Sequence, residues 1–136
     1  MSAVGQMCRR GWVGLAFILA AATTGAATYT WDTAPGTAGV QDGSGTWDTA
    51  TANWYDGTNH TWNNSGGDTA ELKNLQGGPR TYTVALGGPI TIGGLSFTAS
   101  SGHYAYTVAA DVSGVLNLGL ASTPISADVQ GVITAP

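Results

Sequence analysis

The chain has 136 residues, room for one domain or part of one, with 43% apolar residues, 21 glycines and only 9% charged side chains. It is too apolar for a disordered chain, and a net charge of −4 leaves no basic face for a nucleic acid. Its single cysteine, Cys8, excludes an internal disulfide and a thiolate metal cluster.

Residues 1–27 read as a secretory signal peptide. Arg9 and Arg10 supply the positive start, and WVGLAFILAAA (12–22) the apolar run. Small residues at 24–27 predict cleavage after Ala26 or Ala27. The run is short for a spanning helix, which needs roughly 20 apolar residues, so membrane contact is expected only during export. The paired arginines also fit a twin-arginine signal.

Residues 28–79 form a tryptophan-rich, turn-rich segment, read as an N-terminal cap. Thr-Trp-Asp-Thr occurs at 30–33 and again at 46–49, and HTWNN (60–64) echoes it. Short strands are predicted around Trp31, Trp47, Trp54 and Trp62, because Thr, Trp and Tyr suit a pleated, half-buried surface. Pro35-Gly36, Asp42-Gly43 and Asp56-Gly57 are turn chemistry. DTAELKN (68–74) fits a short helical turn capped by Asp68 or an edge strand, and a strand entering the β-rich half is favoured.

Residues 80–136 carry the clearest pattern. Tyr82, Val84 and Leu86 alternate with Thr81, Thr83 and Ala85. Ile90 and Ile92 alternate with Thr91 and Gly93; Tyr104, Tyr106 and Val108 alternate with Ala105, Thr107 and Ala109. A period of two gives each strand one apolar face. Leu116, Leu118 and Leu120 continue it, followed by Ile125, Val129, Val132 and Ile133. Apolar anchors recur every 8 to 12 residues, a cadence that suits a small β-sandwich or a solenoid. Short strands separated by Gly, Ser, Asp and Thr favour the solenoid. So does an ending at Pro136 within the cadence, which predicts a solenoid fragment with an open C-terminal end.

The residues 29–32, 45–55, 68–72, 82–86 and 90–97 resemble the opening of large exported bacterial proteins with autotransporter-associated β-strand repeats. That resemblance implies an all-β, right-handed parallel β-helix on the surface of a Gram-negative bacterium, non-enzymatic, with a structural or adhesive role. In that family a C-terminal barrel or a sorting anchor often follows. The sequence shows neither, nor a convincing copy of the later Gly-Thr-Leu repeat unit.

Two chemistries compete with a structural role. Trp31, Trp47, Trp54 and Trp62, with Tyr55, could stack on surface glycans, making a carbohydrate-binding module; the competing reading plugs them into the cap as core. Asp32, Asp48 and Asp56 could be glycosidase acids, but each sits in turn-like sequence where Asp bonds its own backbone. His60 and His103 have no partner at metal-ligand spacing, and no Gly-x-Ser-x-Gly elbow occurs. The expectation is no catalytic residue, no metal and no cofactor. Self-association through the open C-terminal end is the expected partner contact besides glycans.

Overall fold

The computed structural model describes residues 25–65, 67–75, 79–99, 105–110, 112–119, 123–127 and 130–134. Residues 1–24, with Cys8, and His103, Tyr104, Leu120 and Val129 lie outside them. The described chain is all-β. Its strands are β1 (Thr28–Trp31), β2 (Gly45–Trp47), β3 (Trp54–Tyr55), β4 (Asn59–His60), β5 (Thr69–Asn74), β6 (Thr81–Leu86), β7 (Pro89–Ile92), β8 (Gly94–Ala99), β9 (Ala105–Ala110), β10 (Val115–Leu118), β11 (Ile125–Ala127) and β12 (Gln130–Thr134).

Successive strands go to successive sheets. β5, β6 and β7 each lie in a different sheet, and β8, β9 and β10 repeat that order. β8 pairs parallel with β5, β9 with β6, and β10 with β7. The partners Thr69↔Gly94, Thr81↔Ala105 and Pro89↔Val115 are separated by 25, 24 and 26 residues, which is one turn of a coil. β11 and β12 add the next strands to the first two sheets, again in parallel. The architecture is a β-solenoid fragment. The expected strand at 68–74 is β5, the start of the first complete turn.

The alternation read in the sequence becomes a set of ladders. Val84, Val108 and Ile133 stack in register, as do Tyr82, Tyr106 and Gly131. Ala70, Leu95 and Ile125 form another row, and Ile90 and Leu116 another. Parallel in-register pairing brings like positions together at each turn, so one apolar set per strand builds a continuous core. Outward positions are small and polar. Glu71 accepts hydrogen bonds from the Thr30 hydroxyl of the turn before and the Thr98 hydroxyl of the turn after, at 2.7 and 2.9 Å.

The N-terminal end departs from this plan. β1 and β2 already pair parallel with β5 and β6. However, Thr28 and Thr69 are separated by 41 residues. The extra length holds β3 and β4, an antiparallel hairpin added to the edge of β1. Of the short strands expected around the tryptophans, β1, β2 and β3 form at Trp31, Trp47 and Trp54, whereas Trp62 lies outside any strand; β4, two residues long, is too short to show a period. Gly57, at the hairpin tip, has φ of 125°, a region that favours glycine.

Candidate functional site

Two ends of the stack are chemically distinct, and the candidate site residues all fall at the first. Trp31, Trp47 and Trp54 are fully buried and Trp62 is 2% exposed. Trp54 lies at the centre, with ring centroids 5.3 Å from Trp31, 4.5 Å from Trp47 and 4.7 Å from Trp62. All four are brought together, and they close the end of the coil. Their faces are taken up by one another and by the core, so none is open for a sugar to stack on. Each buried indole removes about 200 Å² from water, roughly 5 kcal/mol of gross transfer free energy as an upper bound. Tyr55 is half-buried on β3, beside this plug.

The echoed sequence element explains how the tryptophans are set. After Trp31, the Asp32 Oδ1 accepts from the Ala34 N–H two residues on, at 3.0 Å. Following Trp47, the Asp48 Oδ1 accepts from the Ala50 N–H at 2.8 Å. Beyond Trp62, the Asn63 Oδ1 accepts from the Ser65 N–H at 3.0 Å. Each copy is therefore one buried indole followed by an Asx turn that redirects the chain. This is the turn role expected for Asp32 and Asp48.

Asp32 does more than turn the chain. It is fully buried, and it also accepts from the Gln41 N–H at 3.0 Å and from the Asn59 amide at 2.7 Å. One carboxylate thus ties the 34–41 loop and the β4 hairpin to the end of β1. Asp48 is at the surface, and hydrogen bonds from Thr51 and Ala50 hold its carboxyl below the usual value. Asp42 is nearly buried and accepts from the Leu75 N–H at 2.9 Å. None of these carboxylates faces another across a cleft.

Asp56, Thr58 and His60 meet at the hairpin tip. The His60 Nε2 lies 2.7 Å from the Asp56 Oδ1 and 3.0 Å from the Thr58 hydroxyl. Both partners address the same ring nitrogen. A nucleophile relay needs one partner on each nitrogen, so this cluster clips the hairpin and is not a triad. Among the described residues no three His, Cys, Asp or Glu side chains are grouped to hold a metal.

Asn64 has a role that no motif announces. Its side-chain amide donates to the Pro89 carbonyl at 2.9 Å and accepts from the Thr91 N–H at 2.8 Å. A parallel strand paired opposite Ile90 would make those same two bonds with its backbone. The Asn64 side chain therefore closes the edge of β7 at the capped end. The Trp62 indole N–H donates to the Thr91 carbonyl at 2.9 Å and completes the seal. The signal in sequence was only the Trp-Asn-Asn echo.

The opposite end is open. Val115, Leu118, Ile125 and Ile133 are 50, 52, 49 and 46% exposed. A cleft of about 310 Å³ lies between the last turns, lined by Leu86, Val108, Leu116 and Ile133 among others. Among the described residues, β10, β11 and β12 are each the last strand of their sheet.

The chain is similar to the adhesin BmaC autotransporter of Brucella suis biovar 1 (strain 1330), with 36% identity over 91 residues. That region is 62% of this chain and 2% of the Brucella protein, so the chain spans a small fraction of its relative. The similarity is weak, and it agrees with the parallel sheets. No family model and no solved structure matches the chain.

Proposed function

We propose that this chain is the opening segment of an exported, non-enzymatic β-solenoid of the autotransporter-passenger type. Its leader ends at Ala26 or Ala27, the cap follows, and the rungs run from β5 onward rather than from residue 80. Its role is structural: the Trp plug and the β3–β4 hairpin close one end of a coil whose polar outer faces stand at the surface of a Gram-negative bacterium. The single observation that carries the reading is the contrast between the two ends. One is sealed by four indoles and a side-chain ladder, and the other presents apolar edges suited to further turns or a second copy. The similarity to an autotransporter adhesin supports it, and the resemblance to proteins with autotransporter-associated β-strand repeats agrees with it. An adhesive contribution comes from the same relative. The alternative of a sugar-binding module has no open indole face in its favour.

The test is expression of the whole chain in a Gram-negative host, followed by fractionation, a glycan array and a polysaccharide turnover panel. We expect processed protein outside the cytoplasm, no glycan binding and no turnover. Retention in the cytoplasm would defeat the export reading. Glycan binding lost on Trp54→Ala, in a variant that still folds, would restore the binding module.

A further inference from the structure

The most informative contact outside the plug is at the point where the chain enters the fold. The Ala27 N–H donates to the Asp68 Oδ1 at 2.9 Å, and the Ala27 carbonyl accepts from the Thr69 N–H at 2.8 Å. Gly25 and Ala26 are exposed, and nothing lies within 4 Å of a side chain added at Gly25. Among the described residues, Ala27 is thus the first that the fold holds. Asp68 is 8% exposed, and the ion pair found among the described residues is His60 with Asp56, so Asp68 has no cation there. A nearly buried carboxylate without a positive partner is costly.

Small residues permit cleavage on either side of Ala27, because the peptidase reads an unfolded chain. The two products differ once folded. Cleavage after Ala27 removes both bonds and leaves the Asp68 carboxylate short of a backbone donor. Cleavage after Ala26 keeps both. Water adds across the Ala26–Ala27 peptide bond; the Ala26 carboxylate departs with the leader, and the Ala27 nitrogen takes a proton and becomes an ammonium. That nitrogen already sits on Asp68, so a peptide N–H bonded to the carboxylate becomes an ammonium paired with it.

We propose that the mature chain begins at Ala27 and that Asp68 is the docking site for its α-ammonium group. This rests on the export reading above. The first measurement is the N-terminus of the exported protein, by intact mass and sequencing, after expression of the full chain. A start at Ala27 is expected. A start at Thr28 would overturn the docking site and leave export standing, whereas intact Met1 in exported protein would overturn the leader itself. The second measurement is on exported Asp68→Asn, which keeps an acceptor at the same place. Its melting temperature should fall by roughly 4–8 °C, the shift for about 1 kcal/mol in a domain of this size. Its α-amine should be acylated at neutral pH several-fold faster than in the parent, while Lys73 is labelled at an unchanged rate. Equal α-amine labelling in the two proteins would overturn the proposal even if the melting temperatures differ.

Discussion

At the scale of single residues, the cap is built from one device used three times: an inward indole followed by a carboxylate or amide that bonds the backbone two residues on. The indoles are not equivalent. Trp31 and Trp62 donate to the carbonyls of Gly43 and Thr91, whereas the Trp47 and Trp54 N–H groups have no hydrogen-bond partner. Replacing Trp62 with Phe therefore removes ring area and also leaves a carbonyl short of a donor. Replacing Trp54 with Phe removes area and an unpartnered N–H. Urea unfolding should show Trp62→Phe the more destabilising of the two by about 1 kcal/mol; equal costs would show that the indole bonds contribute nothing. Tyr106 supplies a pH dependence. Burial pushes its phenol well above the ordinary 10.0, and its oxygen accepts from the Gly43 N–H. The folded state keeps this proton when the unfolded chain has released it. Its contribution to stability is full below about pH 10 and is lost as pH rises beyond that. The decline between pH 9 and 12 should be smaller in Tyr106→Phe; an unchanged decline would assign it to other groups.

Among the elements, those with a period of two were legible. Val84, Leu86, Ile90, Ile92, Tyr106 and Val108 all turn inward as their alternation required. The partners of each strand were less legible, because alternation fixes a face and not a neighbour. The sequence could not separate a sandwich from a coil by period alone, and the roughly 25-residue return of like strands was blurred by variable turns. The Asn64 ladder was invisible for a different reason: an amide side chain that copies a peptide bond has no pattern. Asn64→Ala should cost about 1–2 kcal/mol and speed hydrogen exchange at the Thr91 amide. Unchanged exchange there would mean that the edge of β7 is closed by something else. Gly93 tests the tightness of the turn between β7 and β8. A Cβ there would overlap the Gly67 carbonyl, while the Gly93 N–H bonds the Asp68 carbonyl at 2.7 Å. Gly93→Ala should lose about 3 kcal/mol or more, seen as a lowered melting temperature; near-neutrality would contradict the close packing of successive turns.

On the scale of the whole molecule, the two ends are unlike. A coil sealed at its N-terminal end and open at the other gains its stability from neighbours, so its inner turns are held on both sides and its last turn on one. The open end should associate. Leu118 is 52% exposed there, so Leu118→Lys should reduce self-association in sedimentation without lowering the melting point by more than a few degrees. A large loss of stability would place Leu118 in a closed core instead. The most direct test of the whole account is hydrogen exchange followed by mass spectrometry on the exported chain. Peptides covering β5, β6, β8 and β9 should exchange slowest, the Trp-rich cap should be protected with them, and β10, β11 and β12 should exchange fastest. Uniform protection from β5 through β12, lost in a single cooperative step, would contradict it and show a closed domain with no open end.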